Sequence, residues 1–465
     1  MGNIESDRKA GDYRTQVVGS LGEIGRARWQ RLLALAQCAY DDPERSDATR
    51  ASAESELSPF VGYDWLEALE RTGCVGGDSG WSPLHAVVED AEGTLVAAAP
   101  CYLKEHSYGE YVFDWAWADA YARHGLQYYP KLLAASPFTP VPGPRLLAGS
   151  PQARAALAVA LRLLAQQSGL SSAHVLFTGA EDTRALAAAG WMIRRGVQFH
   201  WHNAAFADFD AYLSSLVQPK RKKVRAERRK VQEAGVMLRR LSGADIRPSH
   251  WDFFYRCYQR TYSEHYSHPY LSREFFEEIG ARMAEQVLLV VAERELQPIA
   301  SALLVFDGSG LYGRYWGALE RVPCLHFEAS YYQPIEFAIE RGLGRFEGGA
   351  QGEHKMARGF LPVPTHSAHW LAHPAFADAV ERFLEREGHG IEAYLTELDE
   401  RSPLQRTATG PARAGASPPA RPERARRHRP GPSGRVATVC PPPVRQRNRR
   451  GAIDDQNAGF SAAPW

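Results

Sequence analysis

Long apolar runs are missing from this 465-residue chain: stretches such as 287–292 and 299–306 are cut by charge or proline, well short of the ~18 residues a membrane helix needs. No bilayer span is expected. Cysteine is sparse, with Cys38, Cys74, Cys101, Cys257, Cys324 and Cys440 scattered and no CxxC pair among them. That argues against a zinc ribbon or a disulfide framework and for reduced, mostly buried thiols. The N-terminal MGNIESDRKAGDYR carries acidic and polar residues where an export signal has its apolar centre, so a cytoplasmic address is the expectation. Nor is there an HExxH helix or a tight Cys/His spacing to make ligands of His200, His202, His250, His265 and His268, or of the looser His366, His369 and His373. A metal is not expected.

Charge is unevenly spread. From Arg401 onward there are 13 Arg and 3 acids, while residues 1–400 hold 42 basic and 51 acidic side chains. An acidic body argues against a general surface for phosphate backbones, which concentrates Lys and Arg. The tail, with PARAGASPPARPERARRHRPGPSGR at its centre, has too few aliphatic and aromatic residues to offset its ordering entropy and is expected to be disordered. An RNA- or partner-binding tail is the sharper alternative. The length before the tail implies two or more domains.

What is present is a mixed α and β pattern that occurs twice. Apolar segments 84–88 and 94–103 flank the turn Asp90 to Gly93, and 287–292 and 299–306 flank 293–298, so each half has a hairpin. Helical spacing marks 29–40, 63–70, 153–167, 330–341 and 376–386, with Gly342 and Gly344 closing the fourth. An extra loop in the first half takes in 121–147, whose SPFTPVPGPRLL is too rich in proline for a helix or a central strand. Residues 346–370 can be laid on 177–201 without a gap, and six of 25 positions agree, among them Phe177/Phe346, Gly179/Gly348, Gly190/Gly359, His200/His369 and Trp201/Trp370. One unit is therefore expected to occur twice. Between the matches the first copy reads TRALAAA and the second GEHKMAR, so Ala185, Leu186 and Ala189 give way to His354, Lys355 and Arg358. The second copy has exchanged packing residues for reactive ones.

The run GRYWGALERVPCLHFEASYYQPIEFAIERGLGRFEGGAQGEHKMARGF, with SPFTPVPGPRLL and EHSYGEYVFDWAWADAYARHGLQYYPK earlier, resembles a bacterial family of FemAB-like, peptidoglycan-biosynthesis-related acyltransferases of the GNAT superfamily. The resemblance covers residues 55–395. It implies an α+β protein of two tandem GNAT-like (acyl-CoA N-acyltransferase-like) domains, each a mixed, mostly antiparallel sheet flanked by helices. The expected divisions are an N-terminal segment 1–55, a first, mainly structural domain 56–203, a second domain 204–398 with the site, and the disordered tail 399–465. KRKKVRAERRK, ahead of the second hairpin and the RFEGG strand, more distantly resembles the second domain of Fem-type aminoacyl transferases.

A GNAT domain parts two parallel strands so that an acyl donor meets exposed backbone groups while an amine approaches from the other side. Here the parted strands are expected at 311–316 and 345–348. Acyl transfer needs a base for the amine and donors for the tetrahedral oxyanion. Glu347, Glu353 and His354 are the candidate proton acceptors, with Glu328 a further one; surface charge or capping of a helix is the bland reading of each acid. Gln351, Lys355 and Arg358 complete a polar cluster, and Arg314, Tyr315 and Trp316 form the facing wall, with His326, Tyr331 and Tyr332 in the candidate substrate-binding set. Arg314, Lys355 and Arg358 suit a phosphate or carboxylate. The stretch after Gly317, ALERVPCLHFEA, lacks the glycine-rich turn that normally holds coenzyme A pyrophosphate. Acyl-CoA and aminoacyl-tRNA are both open as donors, and no resident cofactor is implied. The segment from Lys220 to Lys230, eight basic residues and one acid, is either a tRNA contact or a solvated helix face. The expected activity is transfer of an acyl or aminoacyl group to an amine acceptor such as a peptidoglycan precursor or amino-acid-like substrate. The alternative is a GNAT-shaped module that binds a cell-wall precursor or aminoacyl ligand without turning it over.

Overall fold

The computed structural model describes residues 13–40, 57–349 and 352–405; the candidate Gln351 and the tail from 406 lie outside the described residues. The strands, in chain order, are β1 Arg14–Val18, β2 Trp81–Pro83, β3 His85–Glu89, β4 Leu95–Ala99, β5 Cys101–Lys104, β6 Lys131–Ala134, β7 Leu147–Ala148, β8 Ser172–Val175, β9 Met192–His202, β10 Val236–Ser242, β11 Val287–Arg294, β12 Gln297–Phe306, β13 Gly310–Ala318, β14 Arg345–Glu347 and β15 Leu361–Leu371. Both expected hairpins form. β3 pairs with β4, and β11 pairs with β12 around a tight turn in which Glu295 and Leu296 both take positive φ, the backbone that matches the twist of the flanking strands.

An eleven-stranded sheet runs β10-β11-β12-β13-β14-β9-β15-β8-β6-β5-β2, and a smaller one runs β1-β3-β4-β7. Of these strands, only β13 with β14 and β6 with β8 pair in parallel. Read from either end towards the middle, the large sheet repeats one order: antiparallel strands, one parallel pair, then an antiparallel neighbour. These are the two GNAT-like halves. Their closing strands are exchanged, because β9 of the first half pairs with β14 of the second and β15 of the second pairs with β8 of the first. β9 and β15 then pair with each other at the centre. At that centre Gly196 faces Thr365, residues at the same place in the two copies, so a local twofold passes between the halves.

The helices follow the expected apolar spacing with shifted ends: Arg26–Tyr40, Tyr63–Arg71, Pro151–Gln167 and, beyond a π-turn over Glu328–Tyr332, Gln333–Arg341. The last helix is the exception. It runs Pro374–Glu400 instead of 376–386, through Gly388 and Gly390, because both Arg194 Nε and Nη2 hold Glu387 at 2.8 Å and Leu398 is fully buried. Residues 399–405, which the sequence reading gave to the tail, are held too: Val217 N–H donates to the Pro403 carbonyl at 2.9 Å and Gln405 N–H to that of Ser215 at 2.8 Å. The expected extra loop 121–147 is only partly a loop: 131–134 forms β6, paired with β5 and β8 in the large sheet, and the proline-rich stretch 135–146 between β6 and β7 is buried throughout. The N-terminal segment also enters the fold, since β1 extends the smaller sheet.

One aromatic core joins the halves, with Phe60, Trp65 and Trp81 of the first in the same cluster as Phe254, Tyr258, Phe275 and Tyr315 of the second. The helix Pro248–Glu264 lies so close on β13 that a Cβ at Gly317 would stand 2.0 Å from the Cys257 carbonyl oxygen. That close approach accounts for the glycine.

Candidate active site

β13 and β14 pair over Gly310/Arg345, Leu311/Phe346 and Tyr312/Glu347. There β14 ends while β13 continues to Ala318. The parting falls where the sequence placed it. A shift in register between Leu303 and Leu304 sets Tyr315 opposite the first and Gly313 opposite the second, leaving Arg314 as the extra residue of a bulge. The consequence is that Arg314 and Tyr315 share one face of the sheet and Trp316 takes the other.

On the Trp316 face the candidate residues do meet. His326 packs on Trp316 and on Tyr331 with ring centroids 5.4 and 5.5 Å apart, and Tyr331 Oη lies 3.3 Å from His354 Nε2. A Cβ on Gly348, just past the end of β14, would touch Lys355 Cε and Tyr331 Cε1 at 3.3 Å each, so the lysine and the tyrosine close the base of the gap. Lys355 is 0% exposed, as is its counterpart Leu186 in the first copy. A site that buries leucine in one half buries an ammonium in the other. Its Nζ donates to the Gly349 carbonyl at 2.8 Å, and burial, with no carboxylate of the described residues offsetting it, pushes its pKa down to about 7. Burial likewise pushes His326 down to about 3. Burial, and then the charges of Lys355 and Arg358, hold His354 below the ordinary imidazole value.

The other candidates are placed elsewhere, and a single shared hollow is not what forms. Arg314 donates to the Phe138 carbonyl and, at 3.3 Å, to Thr139 Oγ1, fastening the buried proline-rich loop. Tyr315 packs on Tyr258 in the aromatic core. Glu347, on the same face, accepts from Arg345 Nε at 3.2 Å beside His200. Glu328 is held by Arg228 at 3.0–3.2 Å. Glu353 lies on the exposed surface, where Tyr394 donates to it and Arg401 stands 3.7 Å away; it is the first residue of the 3-10 helix Glu353–Arg358, and its counterpart in the first copy, Arg184, is exposed too. Arg358 is spent on Glu227 and on Tyr332 Oη, so neither Arg358 nor Tyr332 faces a ligand.

This geometry stands beside a match to the FemAB-like family, described as peptidoglycan biosynthesis/recognition, over residues 20–406. The chain belongs to the FemAB-like family. No curated protein matches it. Among solved structures, this FemAB-like chain is similar to FemX at 12% identity, covering 76% of this chain and 98% of that one with a TM-score of 0.47. A tandem GNAT protein from the clavulanic acid biosynthesis pathway matches at 12% identity over 78% and 99% of the two chains, TM-score 0.41. The C-terminal domain of a putative lysylphosphatidylglycerol synthetase from Agrobacterium fabrum matches at 9% over 76% and 96%, TM-score 0.45. Among the described residues of the FemAB-like chain, no helix is long and apolar enough to cross a membrane.

The first half of the FemAB-like chain holds a charged cluster that sequence reasoning missed. Lys131, fully buried, donates to Ser107 Oγ at 2.7 Å, Glu110 at 2.8 Å and Asp114 at 2.5 Å. Tyr128 Oη donates to Asp114 at 2.7 Å. Burial pushes Glu110 up to about 7 despite Lys131, whereas Lys131 and His174 overcome the burial of Asp114 and hold it below the usual carboxylate range. His174 of β8 meets His369 of β15 through their Nδ1 atoms at 2.7 Å, across the exchanged strand. The signal was available in a lysine set against the apolar run of KLLA, downstream of the acids in EHSYGEYVFDWA.

Burial, first among the causes, depresses His174, His200, His326 and His369. A base depressed in the fold contributes stability that is complete above its unfolded pKa, about 6.5, and is lost as pH falls towards its folded value. Glu110, raised to about 7, and Asp182, also raised by burial, act oppositely, favouring the fold as pH falls, but His106, His202, His354 and His366 are depressed by burial as well and the imidazoles outnumber the two acids. The melting temperature is therefore expected to fall steadily from pH 6.5 to 4.5. Calorimetry across that range checks it, and a flat or rising profile contradicts it.

Proposed function

We propose that the second-half gap transfers an acyl or aminoacyl group to an amine of a peptidoglycan precursor, with Lys355 as its central group. The observation that carries this reading is the ammonium in the place of a leucine, at the point where β13 and β14 part. Nothing in the core gains from a buried cation without a carboxylate, but a tetrahedral oxyanion does. In the step proposed, the amine nitrogen attacks the acyl carbonyl carbon, Lys355 Nζ donates to the oxygen as it becomes negative, and the nitrogen gives up its proton to His354 Nε2. Collapse then breaks the bond from the carbonyl carbon to the donor's oxygen or sulfur. His354, held below its ordinary pKa, is neutral at pH 7 and able to accept. Tyr331 orients it.

The free edge of β13 opens on a groove of about 380 Å³ lined by Thr261, Trp316, Leu325 and His326. Its acids are already paired, Glu264 with Arg260 and Glu320 with Arg294, and no glycine-rich turn enters the helix that follows. Such a groove favours a donor that brings no pyrophosphate, which supports aminoacyl-tRNA. The helix Gln218–Glu233 exposes Lys222, Lys223, Arg225, Arg229 and Lys230, and we assign it the RNA contact. Replacing Lys222 and Lys223 with alanine is expected to weaken tRNA binding and to reduce the slope of log affinity against log salt by about two. Filter binding between 50 and 200 mM salt reads both, and an unchanged slope removes the contact.

The test of the function is mass spectrometry of a peptidoglycan precursor incubated with the enzyme and either acyl-CoAs or charged tRNA. A mass gain equal to the transferred group supports the reading. Saturable binding of the precursor without any mass gain supports instead the recognition module, which the unoccupied role of a phosphate loop also fits.

A further inference from the structure

The one acid of the basic segment 220–230 is not on the solvent face of its helix. Glu227 is buried, and its two carboxylate oxygens accept from Arg358 Nη2 at 2.9 and 2.8 Å while Tyr332 Oη donates to it as well. Arg358 in turn donates from Nε to Tyr332 Oη at 3.0 Å and from Nη1 to the His354 carbonyl at 2.9 Å, with its guanidinium 3.4 Å from the centre of the Phe327 ring. The His354 carbonyl belongs to the peptide bond that leads into Lys355. The adjacent residue of the helix grips the other side of the gap: Arg228 holds Glu328 at 3.0–3.2 Å and Glu336 at 2.9 and 3.2 Å, the first residue of the π-turn that carries Tyr331 and a residue of the helix just beyond it.

We infer that Glu227 is a positioning residue for the transfer reaction, fixing the Lys355 segment through Arg358, and that the helix Gln218–Glu233 acts as a bracket across both site segments. The inference rests on the reading of the second-half gap as the active site. A packing role would be served as well by apolar residues. A charged fork that uses both carboxylate oxygens and fixes one main-chain carbonyl specifies direction. An error of about 1 Å in the lysine's position is enough to cost about 10²-fold in rate.

The experiment compares Glu227→Gln with the double variant Glu227→Met, Arg358→Met, in which both charges are gone and the fold recovers what the single variant loses. Two readouts are taken, amide exchange of residues 353–360 by mass spectrometry and kcat against KM in the transfer assay. Both variants are expected to exchange about tenfold faster in 353–360 than the parent, with the rest of the sheet unchanged, and to lose about 10²-fold in kcat with KM within about twofold. Recovery of parental exchange and kcat in the double variant, along with its stability, would show the pair to be packing only and overturn the inference. Loss of transfer in a Lys355 variant together with parental exchange and kcat in Glu227→Gln also removes the inference and leaves the site reading in place. Full transfer by a Lys355 variant removes the site reading, and the inference with it.

Discussion

Lys355→Met is expected to lower kcat by about 10²–10³-fold, the cost of losing one oxyanion donor from a dry site, while leaving the protein as stable as the parent or more so. The two halves of this expectation come from one fact. The parent buries an ammonium whose folded pKa is about 7 against about 10.4 in the unfolded chain. A base depressed in this way favours folding only in its neutral form, so at every pH below about 10 it costs stability that methionine does not. The counterpart position already accepts Leu186 at full burial, which shows that the fold tolerates an apolar side chain there. Urea denaturation and the transfer assay on one preparation check both. Wild-type turnover, or a variant several kcal/mol less stable, would contradict the assignment. The pH profile of the parent adds a sign: Lys355 must be protonated to donate, so activity should fall as pH rises through about 7.

Lys131→Met should do the reverse, destabilising the fold by about 3–5 kcal/mol, the range for removing one partner of a buried ion pair. Glu110 and Asp114, 2.8 and 2.5 Å from the ammonium, would be left buried with no cation bonded to them. Both can then escape the cost by protonating, so the loss should be larger at pH 8 than at pH 5. Adding Glu110→Gln and Asp114→Asn to the variant should return part of the stability. Denaturation curves at the two pH values decide it, and a loss under about 1 kcal/mol at pH 8 would mean that solvent reaches the cluster.

The repeat, both hairpins and the parting of the second-half strands were legible because each leaves a local mark: Gly179 and Gly348 in step, apolar runs broken by turn residues, and a short polar copy facing an apolar one. The exchange of β9 and β15 left none. Each strand follows a glycine, Gly190 or Gly359, and carries His-Trp at the same distance from it, and periodicity says which face of a strand is buried but not which strand lies beside it. The site was half legible for a related reason. His326, Tyr331, His354 and Lys355 gathered as expected, whereas Arg314 and Glu347 lie on the opposite face, to which a one-residue bulge adds Tyr315, and Glu353 sits outward, as Arg184 does at the same place in the first copy. Neither has a signature in residue type. Lys131 went unnoticed because a single lysine at the start of an apolar strand looks like an edge charge until the acids from residues 110 and 114 are folded against it.

The exchanged strands have a bearing on how the molecule is made. When residues 192–202 leave the ribosome, the strand that will flank them on either side has not yet been synthesised, and Ser172–Val175 waits with one bare edge. Arg345–Glu347 can cover one edge of 192–202, but translation must proceed to Leu371 before its other edge and that of Ser172–Val175 are covered. The halves therefore cannot be finished one after the other, and a chain released early would carry an open edge ready to accept the missing strand from another copy.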